Sequence, residues 1–178
     1  MGRSIVALAE LLDRHSEAAV DTASAVIRQD QVFIAEMTLP SLIEAAVRSD
    51  HHEVARSAFV TLADRAATAA TPWARGLRAR CQALLVESSH AEEAHLEAIS
   101  QLRRSRAALD LARAHLLYGQ WLRRSQRRRD ARRQLRTAED MLHAIGAAAF
   151  AQQAGNELRA AGERARKRTP DTESNLTS

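Results

Sequence analysis

Two carboxylate–histidine pairs are the residues of this chain best spaced for metal chemistry. Glu92 and His95, and again Asp140 and His143, stand three positions apart. On a helix this spacing places both side chains on one face, as in the carboxylate-bridged metal sites of helical bundles. Those sites need further inward glutamates from facing helices, and no segment is placed to supply them. We therefore interpret both pairs as solvated helix-surface residues and predict no metal site.

An arginine-rich segment is the second candidate for chemistry, in this case phosphate binding. Residues 123–136 contain eight arginines and a single acid, Asp130. Such a stripe could follow a nucleic-acid backbone, but no stacking aromatic residue interleaves with it, and we expect Trp121, the only one nearby, to pack inside. The favoured interpretation is a solvated or interdomain surface, with weak, non-specific nucleic-acid binding as the alternative. The basic stripe comprises Arg128, Arg129, Arg132, Arg133 and Arg136.

Sequence motifs of enzymes are missing from the chain. It contains neither the G-x-S-x-G turn of serine hydrolases nor the G-x-x-x-x-G-K-[ST] phosphate loop. The single cysteine, Cys81, excludes an internal disulfide and falls on an apolar helix face, which indicates a buried, inert thiol. The sequence therefore predicts a protein that is not an enzyme and needs no cofactor.

Composition favours an all-α fold. The chain has 178 residues, enough for one domain with a core, and only 6 Gly, 3 Pro and 3% aromatic residues. No apolar run approaches the roughly 18 residues that cross a bilayer, and charged residues interrupt the N-terminal segment, unlike a signal peptide. We expect a cytoplasmic protein with no membrane partner.

Residues 112–138 match the pattern of a tetratricopeptide-type repeat, in which two helices form a hairpin. Gly119 is central to this match, because a residue without a side chain lets the second helix pass close over the first. Degenerate copies of the pattern recur at residues 39–59 and 81–98. In the best copy the pattern residues are His115, Tyr118, Gly119 and Leu122 on the first helix and Ala131 and Leu135 on the second.

Equivalent alanines define the repeat length. Ala18, Ala55, Ala94 and Ala131 lie 37, 39 and 37 residues apart, somewhat more than the usual ~34. We predict a tetratricopeptide-like α-α superhelix of about nine antiparallel helices, with an irregular helical bundle as the alternative. The predicted helices cover residues 4–13, 16–29, 40–49, 52–69, 72–87, 91–104, 109–124, 128–145 and 148–166. Thr71-Pro72 signals the start of the helix at 72, Gly146 ends the helix that begins at 128, and Leu96 is expected on the apolar, inward face of helix 91–104. Residues 1–166 then form one repeat domain, and residues 167–178 form a disordered tail.

Several phrases resemble the helical-repeat region of the large, ATP-dependent LuxR-type transcription regulators of actinobacteria. They are LPSLIEAAVRSDHHEVAR at 39–56, TPWARGLRARCQALL at 71–85, AEEAHLEAI at 91–99, residues 111–138 and LHAIGA at 142–147. The closing Leu176-Thr177 resembles the family's entry to its helix-turn-helix domain. The resemblance implies a signal-transduction segment between an ATPase domain and a DNA-binding domain. Neither domain is in this chain, so ATP hydrolysis and DNA binding would belong to those parts.

Three hypotheses of function follow from these observations. The first is a regulatory repeat domain of a LuxR-type regulator that couples a protein partner or ligand to transcription. The second is a stand-alone helical adapter for protein–protein interaction, and the third is weak nucleic-acid binding through the basic stripe. A helix-turn-helix coding region directly after residue 178 would separate the first two hypotheses.

A binding groove is expected along the first helix of each hairpin, which lines the concave side of a stacked repeat. The non-core positions of those helices are mainly cationic, so we expect an acidic or carboxylate-bearing partner bound by arginine forks. Glu44 is counted among these positions as well. The other predicted groove residues are Arg48, Arg75, Arg78, Gln82, Arg113 and Gln120.

Overall fold

A computed structural model describes residues 32–86 and 88–162 of the chain. This part is helical throughout, which confirms the all-α prediction for it. The two helices predicted before residue 30 and the tail predicted for residues 167–178 lie outside the described residues. The helices are α1 Val32–Arg48, α2 His52–Ala69, α3 Pro72–Leu85, α4 Ser88–Arg103, α5 Ala108–Arg124, α6 Arg128–Ala144 and α7 Ala148–Ala160.

Each helix packs against the helix that follows it. The most extensive contacts join α3 to α4 and α5 to α6, and α1 packs similarly on α2. Contacts also skip one helix, from α1 to α3 and from α5 to α7, so these odd-numbered helices lie side by side. No helix in the described ranges is long and apolar enough to cross a membrane.

The start predicted for α1 at Pro40 is wrong. The helix begins at Val32 and continues through Pro40 to Arg48. Proline removes one amide donor from the helix interior, so the carbonyl of residue 36 loses its usual partner. The helix nevertheless continues, because Leu39, Leu42 and Ile43 beside the proline are all fully or almost fully buried. Tertiary packing outweighs local propensity here.

Three turns between helices have the same backbone geometry. Asp50, Gln126 and Gly146 adopt left-handed φ angles of 58°, 62° and 75°. The amide of the next residue in each turn donates to a carbonyl five residues back, as in His51 to Ala46 at 2.8 Å and in the other two turns at 2.9 Å. These are Schellman turns, which satisfy the last carbonyls of a helix. The predicted role of Gly146 is therefore confirmed.

The start of α3 follows the predicted signal of threonine followed by proline. The Thr71 hydroxyl accepts a hydrogen bond from the amide of Ala74 at 3.1 Å, and Pro72 occupies the first helical turn. The threonine hydroxyl thus takes the place of the backbone carbonyl that would accept from this amide inside a helix.

The core contains the alanines that defined the repeat. Ala55 and Ala131 are completely buried and Ala94 is 8% exposed, whereas Ala18 lies outside the described residues. Ala55 and Ala131 also occupy equivalent places after their Schellman turns, since their amides donate to the carbonyls of His51 and Arg127. The inward position assigned to Leu96 is wrong, because its side chain is 51% exposed.

Gly119 lies where α5 crosses α6 at close range. A Cβ atom on Gly119 would stand 2.6 Å from Cγ and 2.7 Å from Cδ2 of Leu135. Gly76 is similarly close to Leu102, so α3 and α4 also meet through a glycine. Real Cβ atoms do not approach other carbons this closely, so any side chain at these positions would push the helices apart. The predicted close contact at Gly119 is confirmed.

We predict that Gly119→Ala lowers the free energy of unfolding by about 1–3 kcal/mol, despite the better helix propensity of alanine, because overpacking outweighs it. Gly155→Ala is the matched control. Its new Cβ would meet only the ends of two flexible side chains, those of Glu139 and Arg159. Urea unfolding of both variants measures the effect, and equal stability of G119A and G155A would contradict the packing argument.

Candidate functional site

The six side chains predicted to line one groove differ in their exposure to solvent. Arg48 and Arg75 are exposed, Arg78, Gln82 and Gln120 are half-buried, and Arg113 is only 4% exposed. The prediction of a continuous cationic groove is therefore wrong for Arg113.

Arg113 belongs to a buried charge cluster that joins α1, α3 and α5. We define this cluster as Glu44, Arg80, Asp110 and Arg113. Glu44 and Arg113 are 4% exposed and Arg80 is 1% exposed, so three of its four members are deep in the protein. Glu44 was expected at a groove surface, and its burial corrects that expectation too. Its four formal charges cancel, which allows them to be buried together.

Two carboxylates hold the two arginines in place. Arg113 Nη2 donates to Glu44 Oε2 in a very short ion pair, and Arg80 Nε lies 3.3 Å from Glu44 Oε1. Arg80 Nη1 also donates to Asp110 Oδ1 at 2.9 Å. The indole of Trp73 donates to the other oxygen of Asp110 at 2.8 Å. Charge-assisted hydrogen bonds of this kind are stronger than neutral ones.

An aromatic ring covers one arginine of the cluster. The Arg113 guanidinium carbon lies 4.3 Å from the ring centroid of Phe150, on α7. A planar guanidinium stacks well on an aromatic face, and Phe150 is itself 1% exposed. The cluster therefore connects α7 as well as α1, α3 and α5.

The cluster shifts the pKa values of its members. Burial acts to raise the pKa of Glu44, but Arg113 and Arg80 outweigh it and hold this pKa below its usual value. Burial also acts to lower the pKa of Arg80, and Glu44 and Asp110 reverse that effect. Both groups therefore stay ionised inside the protein. Neighbouring Cys81 is buried, and burial raises the pKa of its thiol to about 12, as expected for an inert cysteine.

Sequence reasoning missed Arg80 and Asp110. A signal for Arg80 was present: Trp73, Leu77 and Leu84 follow a helical stripe, and Arg80 takes the place between the last two. An arginine inside an apolar stripe needs a buried carboxylate partner. Asp110 gave no comparable signal, because an acid in the first turn of a helix is common and favourable at the surface.

Two groove residues line an open basic cavity instead. We call it the α2–α3 cavity; its volume is about 380 Å³, and Arg75 and Arg78 lie on its α3 side. Arg78 Nη1 donates to Gln82 Oε1 at 3.2 Å, which orients its guanidinium. The remaining lining residues, all on α2, are Ala63, Asp64, Ala66 and Ala67. Gln120 lies elsewhere, where it and Arg123 donate to Glu157 on α7.

The basic stripe is only partly available on α6. Arg128 and Arg129 are exposed. Arg133 lies 3.8 Å from Asp130, and Arg132 is half-buried with its Nη1 donating to the carbonyl of Ala161 at 3.1 Å. Arg136 is exposed and has a partner of its own. The predicted basic stripe is therefore interrupted at Arg132.

Glu92 and His95 do not form the solvated surface pair that the sequence favoured. His95 is 1% exposed and stacks on Tyr118, with ring centroids 5.3 Å apart. Burial, helped by Arg124, lowers its pKa to about 4, so the ring is neutral at pH 7. Glu92 instead accepts hydrogen bonds from Tyr118 at 2.7 Å and from Arg127 at 2.5 Å.

The other carboxylate–histidine pair, Asp140 and His143, is exposed, as the sequence predicts. Among the described residues no group of three or more His, Cys, Asp or Glu side chains is placed to hold a metal ion. Comparison of the chain with protein-family models, with curated proteins and with solved structures finds no match.

We predict that Glu44→Gln lowers the free energy of unfolding at pH 7 by about 3–5 kcal/mol, because it leaves two buried arginines without full compensation. The folded-state pKa of Glu44 is lowered, so its contribution is present above the unfolded pKa and is lost as the pH falls below about 4.5. The difference between wild type and variant should therefore shrink in acid.

Glu157→Gln serves as the control for this prediction. Its pair with Arg123, 2.7 Å between Nε and Oε2, is partly open to solvent. Such pairs contribute about 0–1 kcal/mol. Urea unfolding at pH 7 and pH 3 measures both variants, and a loss in E44Q no larger than that in E157Q would show that the cluster is energetically unimportant.

Proposed function

We propose that this chain is a non-enzymatic, tetratricopeptide-like superhelical interaction domain. By the resemblance of its sequence, it serves in a LuxR-type transcription regulator and couples the binding of a protein partner or acidic ligand to the ATPase and helix-turn-helix domains of that regulator. A stand-alone adapter with the same binding surface is the alternative.

The serial packing of helical hairpins is the observation that supports this proposal. Consecutive helices pack together, odd-numbered helices also touch, and equivalent Schellman turns follow Arg48 and Arg124. Repeats of this kind present extended surfaces for partners. The phrases that resemble the regulators include these hairpins and their turns, which agrees with a repeat origin.

The α2–α3 cavity is the binding site that we propose for the acidic partner. Arg75 is exposed and Arg78 is held by Gln82, so both guanidinium groups can reach a carboxylate from α3. Asp64 on the opposite wall favours a ligand that also carries a donor, such as an amide or an amine. An acidic peptide meets both requirements, because its backbone supplies N–H groups beside its carboxylates.

We predict that a hexaglutamate peptide binds the full chain and perturbs the NMR shifts of Arg75 and Arg78. The double variant Arg75→Gln/Arg78→Gln should weaken binding at least about tenfold, which corresponds to the loss of one charge-assisted hydrogen bond. Arg56→Gln is the control, because Arg56 is an exposed arginine of α2 that pairs with Glu53 away from the cavity. Perturbations confined to α4, α6 and α7 would refute this site.

Nucleic-acid binding is a second candidate, favoured only by the exposed Arg128 and Arg129 at the start of α6. We predict that the chain alone binds DNA without sequence preference and that this binding falls steeply between ~50 and ~200 mM salt. Arg128→Gln/Arg129→Gln should remove most of it, whereas Arg132→Gln should change it little, since Arg132 donates to Ala161. Fluorescence anisotropy with two unrelated duplexes measures this, and salt-resistant discrimination between them would contradict the prediction.

Coding context distinguishes the regulator from the adapter. A helix-turn-helix coding region in frame directly after residue 178 would support the regulator, and an unrelated coding region there would support the adapter.

A further inference from the structure

A second cavity lies on another face of the protein, against α4, α5 and α6. We call it the α4–α6 cavity; its volume is about 390 Å³, within the range of small-molecule sites. It is separate from the α2–α3 cavity, with which it shares no residue. The lining residues are Leu96, Ile99, Ser100, Arg103, Arg104, His115 and Gln134.

The lining divides into an apolar part and a cationic part along α4. Leu96, 51% exposed, and Ile99 are the two apolar side chains, one turn apart. Arg103 and Arg104, both exposed, are at the end of the same helix. A long aliphatic side chain half open to water beside a cavity is a favourable contact for an apolar group of a ligand.

No carboxylate is among the lining residues of this cavity. Of the three acids on α4, Glu92 accepts from Arg127 and Glu97 accepts from Gln101 at 2.8 Å, and Glu93 does not line the cavity. The positive charge of Arg103 and Arg104 therefore has no compensating partner among the acids that line this surface. A ligand that carries a negative charge would supply one.

His115 provides a polar group at the α5 side. It is 5% exposed, and its Nδ1 lies 2.7 Å from Gln134 Oε1, an acceptor, so Nδ1 carries the hydrogen. Burial lowers the pKa of His115. The hydrogen bond with Gln134 acts to raise this pKa, and the positive charge of Arg103 acts to lower it further. An anion bound beside Arg103 would cancel that charge and stabilise the protonated ring.

We propose that the α4–α6 cavity binds an amphiphilic carboxylate, with its apolar chain on Leu96 and Ile99 and its carboxylate on Arg103 and Arg104. This site is independent of the acidic-peptide site at Arg75 and Arg78. The two requirements, one anionic head and one short apolar chain, define the ligand class. Neither a purely anionic nor a purely apolar compound satisfies both halves of the lining.

Sodium octanoate, titrated into the full chain below its micellar concentration, is the probe. Calorimetry should show saturable binding, with NMR shift changes at the α4–α6 cavity and a rise in the pKa of His115 on saturation. Acetate lacks the chain and octylamine reverses the charge, so each should bind at least about tenfold more weakly. Equal binding of octanoate and octylamine would reduce the site to a non-specific apolar surface and overturn the proposal.

Variants then locate the two halves of the site. Arg103→Gln/Arg104→Gln and Leu96→Ser, all at exposed positions, should each weaken octanoate binding at least about tenfold without lowering the thermal midpoint. Arg106→Gln is the matched control, because Arg106 is exposed in the turn between α4 and α5 but does not line the cavity. Arg75→Gln/Arg78→Gln should retain octanoate binding, so the proposal for this cavity is tested independently of the proposal for the acidic-peptide site. Undiminished binding in the R103Q/R104Q variant would overturn the proposal.

Discussion

The ion pair between Glu44 and its two arginines is the interaction on which the relative placement of the hairpins depends. Glu44 lies on α1, Arg80 on α3 and Arg113 on α5, so one carboxylate connects the first helices of three successive hairpins. A buried charge accepts only small changes in the position of its partners, because every lost contact leaves charge uncompensated. Hydrophobic contacts between the same helices would tolerate more sliding, so the cluster favours one arrangement over its neighbours.

The arginines of the described residues include buried ones, which pair within the protein, and exposed ones. Arg80 and Arg113 have permanent partners within the protein and cannot exchange them for a ligand. Exposed arginines at α3 and at the end of α4 instead border cavities of about 380 and 390 Å³. Whether an arginine is open to solvent therefore depends on where it lies on its helix, more than on how many arginines a segment contains.

The sequence predicted the helices and turns well, because these depend on local signals. Thr71-Pro72, Gly146 and the repeated alanines each act within a few residues of chain. The predicted groove failed at Arg113, since its burial depends on Glu44, a residue of another hairpin. His95 was assigned to solvent for the same reason: the rings that cover it are on α5. Single-sequence patterns identify the buried face of a helix, but they do not tell which polar side chains on that face find partners.

The distance along the chain between Glu44 and Arg113, 69 residues, has a consequence for the order of folding. Schellman turns and hairpin contacts join residues close in sequence and form with little loss of chain entropy. The charge cluster can close only after three hairpins are present and aligned. We therefore expect its bonds to form after the transition state for folding, so that weakening them accelerates unfolding and leaves the rate of folding nearly unchanged. On this expectation, the cluster lowers the unfolding rate of a domain whose hairpins form quickly.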